Sequence, residues 1–233
     1  GQEGYLCATK TLTETMYVGA IRPLSPTGTH HTVVSLGTPS SPDDPGSPCG
    51  PSFGEFYAAG VGTGELVLPE GVGLVAQAGR QAHLNLHLFN TQPDTLSGVS
   101  GVEVRLLQPS EVQHEASIRF YGPLSFQIPA GQAYSVTDET TFDAPQTLIA
   151  IFPHMHRLGT HFKAEVVQGA TTTTLWDEDF QFESQEFAAI PPVTVQPGDV
   201  LRTTCTWTNT TAQDVSWGDS SNAEMCFSTL MSY

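Results

Sequence analysis

The chain has 233 residues, of which 39% are hydrophobic, and it contains 22 Gly and 17 Pro. These values are typical of a globular protein, and they exclude wholesale disorder and a collagen-like structure. Its 24 acidic residues outnumber its 8 basic residues, so the formal net charge of −16 argues against nucleic acid and anionic membranes as partners. The longest apolar stretches, such as residues 148–153, are far shorter than the roughly 20 residues of a membrane-spanning helix, so we expect a soluble protein with no membrane segment.

The first residue and the cysteines bear on where the protein works. The chain begins at Gly1 with neither a Met nor a leader-like pattern, so we expect a preceding segment to have been removed. None of the four cysteines lies in a Cys-x-x-Cys pair, which favours two structural disulfides over a thiolate zinc site. Disulfides form in oxidising compartments, so we expect a secreted or periplasmic protein. Four free buried thiols in a cytosolic protein are the alternative.

Short runs with an apolar residue at every second position recur between turns rich in Gly and Pro, which predicts an all-β protein. Residues 39–51 hold five Pro and two Gly, too many for a strand, so we predict a loop there. Two strands with one buried face each follow, with their apolar residues at positions 84, 86 and 88 and at positions 102, 104 and 106. Further strands are predicted over residues 171–174, 176–187 and 201–207.

A polar segment at residues 110–115 separates the strand that ends at Leu107 from a new set of runs that begins with Ile118 and Phe120. We therefore predict two antiparallel β-sandwich, jelly-roll-like domains, residues 1–113 and 114–233. One large sandwich is the alternative.

The chemistry of the chain lies in its eight histidines, which are clustered. His154 and His156 are two positions apart, so on a strand both imidazoles project from one face and could bind one metal ion. The adjacent His30 and His31 could do so only from a bent or bulged strand, and Gly28 is consistent with such a bend.

His83 and His87 share the strand face opposite the three leucines of their run. We expect both imidazoles to look outward from the core. His83 is either a donor beside a metal site or a solvent-exposed residue.

Two motifs of the second half resemble the copper signature of the copper type II, ascorbate-dependent monooxygenases. Members of that family include peptidylglycine alpha-hydroxylating monooxygenase and dopamine beta-monooxygenase. The motifs are Ile-Phe-Pro-His-Met-His-Arg-Leu-Gly at residues 151–159 and Ser-Asn-Ala-Glu-Met-Cys at residues 221–226. The first half agrees in the same order, with Tyr-Leu-Cys at 5–7, the adjacent histidines at 30 and 31, and Leu-Asn-Leu-His-Leu-Phe-Asn at 84–90.

The resemblance implies two copper ions per chain, one in each of two domains that face each other across a cleft. The electron-transfer copper would be held by His30, His31 and His87. The catalytic copper, which binds dioxygen, would be held by His154, His156 and Met225. The donor types suit copper, because imidazole binds both oxidation states and a thioether favours Cu(I).

The resemblance also implies an activity. Ascorbate or another one-electron donor would reduce both ions, and a C–H bond of a small-molecule substrate would be hydroxylated with O2. The alternative is a copper-binding or electron-transfer protein on the same scaffold that has no catalytic activity.

A disulfide between Cys7 and Cys49 is likewise implied by the resemblance. A partner bond between Cys205 and Cys226 would turn Met225 outward, because consecutive strand residues point to opposite faces. The residues alone leave all three pairings of four cysteines open.

Some positions depart from the family pattern. The peptide-amidating members have an Arg where this chain has Phe152, a Tyr where it has Thr229, and usually a Gln where it has Asn85. A glycine-extended peptide is therefore not the expected substrate. Phe152 and Phe227 would make the substrate pocket more apolar, with Thr229 also in it.

Overall fold

The structure is a computed structural model that describes residues 2–50, 56–60, 62–90, 93–218 and 222–233. The chain forms two compact units, Gly1–Ile118 and Arg119–Tyr233. Each consists almost wholly of antiparallel β-strands, so the predicted all-β class is confirmed. None of the helices among the described residues has the length and apolar character needed to span a bilayer.

The described residues of the first unit form two sheets and one short 3₁₀ turn, Pro109–Glu111. Its strands are β1 (Gln2–Thr11), β2 (Met16–Leu24), β3 (Thr29–Gly37), β4 (Asp44–Cys49), β5 (Tyr57–Ala59), β6 (Leu66–Val67), β7 (Val72–Ala76), β8 (Gln81–Asn90), β9 (Gly101–Leu107) and the start of β10 (His114–Tyr121). One sheet has the strand order β4-β1-β8-β3-β5. In the other, β2 is hydrogen-bonded to β6, β7 and β9, and β10 begins parallel to β7.

The second unit contains a four-stranded sheet, a sheet built around β13, and a small two-stranded ladder. Its strands are β11 (Gln127–Ile128), β12 (Ala133–Thr141), β13 (Gln146–Met155), β14 (Gly159–Gln168), β15 (Thr171–Asp179), β16 (Ala188–Val195), β17 (Val200–Thr208), β18 (Val215–Ser216) and β19 (Cys226–Ser232). The four-stranded order is β12-β17-β14-β15, and β13 lies between β16 and β19. A short 3₁₀ turn covers Phe182–Ser184.

The core of the second unit lies between these sheets and follows the alternation of β17. Leu201, Thr203, Cys205 and Trp207 are each at most 1% exposed, which confirms the buried face predicted for residues 201–207. Cys205 is bonded to Cys226 of β19, so one disulfide crosses from sheet to sheet inside this core. In the first unit, Cys7 of β1 is bonded to Cys49 of β4.

The prediction of a loop over residues 39–51 was wrong, because β4 occupies Asp44–Cys49. β4 pairs with β1 at the edge of its sheet, with an irregular register. Pro45 and Pro48 are tolerated there because an edge strand leaves alternate N–H groups without a ladder partner, so a missing donor costs little. Pro51, the last residue of that prediction, lies outside the described residues.

Two predicted buried faces were also wrong. On β8, the three leucines are half-buried, whereas Asn85 and His87 of the opposite face are 0% and 8% exposed. β8 lies in the middle of its sheet, and the Cys7–Cys49 bond packs on that opposite face, where Asn85 Nδ2 lies 3.1 Å from Cys7 Sγ. On β9, which is joined to β2 along one edge, Val104 and Leu106 are exposed.

The strand predicted over residues 176–187 is shorter than expected. β15 ends at Asp179, and Phe182 and Phe187 lie outside the strands. Their rings pack on other side chains, with the ring of Phe187 centred 5.1 Å from that of Phe152 and the ring of Phe182 centred 6.4 Å from that of His156. Aromatic content therefore did not distinguish a paired strand from a loop whose rings pack on the fold.

Asn209, which follows β17 and begins an Asn-Thr-Thr sequence, is buried to 1% exposure. Its Nδ2 group lies within hydrogen-bonding distance of the carbonyl oxygens of Ile128, Pro129 and Gln213. Its Oδ1 accepts hydrogen bonds from the backbone N–H and the hydroxyl of Thr211. By these hydrogen bonds the side chain acts as an internal clamp that joins residues 128–129 to residues 211–213.

Removing the Cys205–Cys226 bond should destabilise the second unit. The bond closes a segment with a sequence separation of 21, for which the chain-entropy model gives about 3 kcal/mol. We expect Cys205→Ala/Cys226→Ala to lower the free energy of unfolding by about that amount in urea titrations followed by Trp fluorescence. All three Trp lie in the second unit, so the signal reports on that unit.

The matched control for this experiment is Cys7→Ala/Cys49→Ala, which should shift the Trp transition much less. A disulfide contribution to the second unit is refuted if both double variants unfold at the urea concentration of the parent protein.

Candidate metal centres

Three imidazoles meet on one face of the first unit's five-stranded sheet. His30 and His31 lie on β3, and His87 lies on the neighbouring β8, directly opposite His31. The ladder between these strands is irregular from Thr29 to His31. Such an irregularity re-aims one of two adjacent side chains, and this is how consecutive histidines reach the same point.

The atoms that these three histidines bring together are all Nδ1. Nδ1 of His30 lies 3.2 Å from that of His31 and 3.1 Å from that of His87, and the distance between His31 and His87 is 3.4 Å. Metal–imidazole bonds of about 2.0 Å place three nitrogens around one ion about 3.5 Å apart. The spacing and the donor type therefore fit one copper ion.

The surroundings keep His31 neutral and hold the ring of His87 in place. Burial, together with His87 and His30, lowers the pKa of His31 to about 4, so the ring has the unprotonated form that metal binding needs. Tyr5 of β1 stacks on His87 with ring centroids 4.4 Å apart and planes 7° apart. The Nε2 of His87, on the far side of its ring, lies 2.7 Å from Glu3 Oε1.

The second unit brings His154 and His156 together at the end of β13. Their ring centroids are 5.2 Å apart with planes at 84°. Nδ1 of His154 donates to Gln185 Oε1 at 2.7 Å, and Nδ1 of His156 donates to the backbone oxygen of Ala223 at 3.0 Å. Because both acceptors are carbonyl oxygens, the proton of each neutral ring is on Nδ1 and the lone pair is on Nε2.

Burial is the main cause that lowers the pKa of His154 to about 3, with a contribution from His156 that outweighs the opposing contact with Gln185. His154 and His156 are 5% and 2% exposed. His154 is therefore a neutral donor, and both rings lie in an environment that excludes most water. Imidazoles in that state suit a copper ion.

Met225 stands immediately before β19 and is 5% exposed. Its neighbour Glu224 accepts hydrogen bonds from the backbone N–H groups of His156 and Leu158 and from Trp207 Nε1, at 2.7 to 2.9 Å. Three consecutive residues thus serve this region: the Ala223 carbonyl accepts from His156, the Glu224 carboxylate accepts from the backbone of His156 and Leu158, and Met225 carries a thioether. Ser221, which begins this sequence motif, lies outside the described residues.

Apolar side chains surround His154. The ring of Phe152 is nearly parallel to it, with centroids 6.0 Å apart and planes at 17°, and Phe187 packs on Phe152. Thr229 is paired with Phe152 across the β13–β19 ladder and is buried, yet its hydroxyl has no hydrogen-bond partner among the described residues. Phe227, opposite His154 in the same ladder, is half-buried.

The remaining histidines lie apart from both clusters. His83 is half-buried on β8, His114 is exposed, and His161 lies 3.2 Å from Asp177 on the neighbouring strand.

Sequence reasoning missed Glu3, Gln185 and Glu224 as partners of the clustered histidines. Glu224 carries a usable signal, since it directly precedes the candidate thioether. Gln185 and Glu3 carry none, because each meets its histidine only through the tertiary fold.

Comparisons with known proteins point to one family. Residues 129–233 match the model of the copper type II ascorbate-dependent monooxygenase C-terminal domain. The chain is also 27% identical over 249 aligned residues to peptidyl-glycine alpha-amidating monooxygenase A of Xenopus laevis. That alignment covers 98% of this chain and 26% of the relative, so the chain spans about a quarter of that protein's length.

Two solved structures show distant likenesses to this chain. A structure of infectious bursal disease virus Gx strain is 11% identical, with a TM-score of 0.28 over 99% of this chain and 57% of that chain. A turret protein of Sulfolobus turreted icosahedral virus is 16% identical, with a TM-score of 0.25 over 100% of this chain and 96% of that chain. Scores this low do not establish a shared fold.

We expect the purified protein to bind two copper ions per chain, as measured by elemental analysis after loading and dialysis. His87→Ala should reduce this number to one, because it removes one of the three Nδ1 donors. The control His83→Ala changes a histidine four residues earlier on the same strand and should leave two ions bound. Loss of an ion from the control variant alone would show that the first ligand set is misassigned.

Proposed function

We propose that this chain, a member of the copper type II ascorbate-dependent monooxygenase family, hydroxylates a C–H bond of a small substrate using two copper ions and a one-electron donor such as ascorbate. One observation carries the proposal: the chain holds two histidine clusters of different chemistry. One offers three imidazole nitrogens, and the other pairs two imidazoles, one of which is hydrogen-bonded to the backbone of Ala223, two residues before Met225.

In the overall reaction, one atom of O2 enters the C–H bond and the other leaves as water, with two electrons and two protons drawn from the reductant and the solvent. Bound copper would supply the one-electron steps that link the reductant to O2. The His30, His31 and His87 site would store an electron, and the His154, His156 and Met225 site would be the place where oxygen and substrate react. A soft thioether favours the reduced ion, the state that reacts with O2.

The chain's own residues prepare the second site. Gln185 and Ala223 hold protons on the Nδ1 atoms of His154 and His156, so each ring directs its Nε2 toward the ligand position. Phe152 and Phe187 exclude water from the side of His154. Exclusion of water strengthens electrostatic interactions in a site and suppresses side reactions.

The substrate we propose is a neutral, largely apolar molecule with one hydrogen-bonding group. Phe152 and Phe187 offer only apolar contacts, so nothing at that position attracts a carboxylate, and the net charge of −16 repels anions. The buried hydroxyl of Thr229 is the polar group that such a substrate would meet. A glycine-extended peptide, the substrate type in the name of the Xenopus relative, would meet the ring of Phe152 rather than a cation at that position.

The proposed setting is an oxidising compartment outside the cytosol. The two disulfides, Cys7–Cys49 and Cys205–Cys226, support it, because such bonds persist where thiols are not kept reduced.

A screen of small neutral aromatic and aliphatic compounds, with ascorbate-driven oxygen uptake and product mass as readouts, tests the activity. We expect uptake to rise with substrate and the product to gain one oxygen atom from labelled O2. Met225→Leu should lower turnover at least about tenfold while the three-histidine site stays loaded, because the ligand is lost but the volume is kept. Met231→Leu, a buried methionine of β19 outside the site, is the control.

Two outcomes would contradict this proposal. Copper uptake at both sites without substrate-dependent oxygen use would indicate the non-catalytic copper-binding or electron-transfer protein instead. Equal turnover in the Met225 and Met231 variants would remove Met225 from the ligand set.

The polar group in the pocket can be tested on its own with Thr229→Val, which replaces a hydroxyl by a methyl group of similar size. For a substrate with a hydrogen-bonding group we expect KM to rise about tenfold, while an apolar analogue without that group should be unaffected or bind better. Thr32→Val is the matched control, because the Thr32 hydroxyl in the first unit is also buried without a partner among the described residues. Equal KM changes in the two variants would contradict a role for Thr229.

A further inference from the structure

We propose that Glu3 is a positioning residue for the three-histidine site: it fixes the tautomer of His87 and makes its ligand nitrogen more basic, so that this site favours Cu(II). The inference rests on the proposed function, because it requires that His87 bind copper. It also predicts that the preference for Cu(II) over Cu(I) differs between the two sites by more than their ligand types alone would give.

The geometry places Glu3 within reach of one atom of His87 only. Oε1 of Glu3 lies 2.7 Å from Nε2 of His87, the nitrogen that faces away from His30 and His31. Glu3 is two residues before Tyr5 on β1, so both side chains project from the same face, and Tyr5 stacks on the same ring. The carboxylate therefore meets a ring that is already held in place.

The contact defines the proton position. The side chain of Glu3 is 58% exposed and that of His87 is 10% exposed, so a carboxylate at the solvent edge accepts a hydrogen bond from a nearly buried ring. With the proton on Nε2, the lone pair of Nδ1 points at the Nδ1 atoms of His30 and His31. A metal-ligating histidine whose other N–H donates to a carboxylate becomes a more basic ligand.

The acceptors of the Nδ1 protons at the second site are uncharged. The acceptors for His154 and His156 are the neutral amide of Gln185 and the backbone carbonyl of Ala223. The buried carboxylate of Glu224 binds backbone N–H groups, including that of His156, and an indole.

The two sites therefore differ in the charge behind their histidines. An anion behind one ligand stabilises the more highly charged ion, which favours Cu(II) at the three-histidine site. At the other site, the neutral acceptors and the thioether of Met225 favour Cu(I).

Two substitutions separate charge from hydrogen bonding. Glu3→Gln keeps an oxygen that can accept from His87 Nε2 and removes the charge, whereas Glu3→Ala removes both. Glu14→Gln is the matched control, because it removes one negative charge beyond the far end of β1, and the strand from Glu3 to Thr11 alone spans about 26 Å.

The first measurement is copper affinity by competition with chelators, in protein carrying His156→Ala to empty the second site. We expect Glu3→Gln and Glu3→Ala to weaken Cu(II) binding about tenfold or more and Cu(I) binding no more than about threefold. Glu14→Gln should change neither affinity.

The second measurement is made on the metal-free full chain by long-range ¹H–¹⁵N NMR of the imidazoles. We expect His87 to carry its proton on Nε2 in the parent protein and in Glu3→Gln, and to become a mixture of tautomers in Glu3→Ala. This readout needs no bound copper.

The outcomes distinguish the two proposals. If the parent three-histidine site takes up no copper, the proposed function fails, whereas the NMR experiment still decides the Glu3–His87 contact. If the site binds copper and both Glu3 variants match the parent in Cu(II) affinity, or if His87 carries its proton on Nδ1 in the parent, the role of Glu3 is refuted.

Discussion

One buried carboxylate ties together the histidine-bearing end of the second unit. Glu224 is 0% exposed, and its oxygens accept hydrogen bonds from the backbone N–H groups of His156 and Leu158 and from the indole of Trp207. Burial raises the pKa of this carboxyl group, and the surrounding donors, which include the backbone of Met225, oppose that rise. The contact fixes the turn after β13 against β17 and the start of β19, and the positions of His156 and Met225 follow from it.

The two units aim their donors in different ways. In the second, strand alternation separates structure from chemistry: Cys226 points into the core toward Cys205, and Met225 precedes it outside the strand. In the first, Tyr5 and Cys7 are two positions apart on β1 and point to the same face, so the disulfide and the histidine cluster share that face. That face of β8 is consequently more buried than its leucine face.

Sequence could predict the parts that local rules determine. The alternation of residues 201–207 predicts which side chains of β17 are buried in the core of the second unit. The spacing of His154 and His156 predicts that their two rings lie on the same side of the chain. The β8 face was predicted wrongly because alternation does not show which face is more buried in a central strand. β4 was missed because a high proline content rules out a central strand but not an edge strand such as β4. The Gln185 contact depends on a loop brought against β13 by the fold, which no spacing along the chain encodes.

The clamp formed by Asn209 has a consequence for making the protein. Its Asn-Thr-Thr sequence is an acceptor for N-linked oligosaccharides, which are transferred while a chain is still being synthesised and translocated. A sugar on Nδ2 would remove the bonds to Ile128, Pro129 and Gln213 and could not fit beside a fully enclosed side chain. Glycosylation and folding therefore compete for the same nitrogen, and a eukaryotic secretory host would divert modified chains to degradation. A host that exports the chain without this modification avoids that loss.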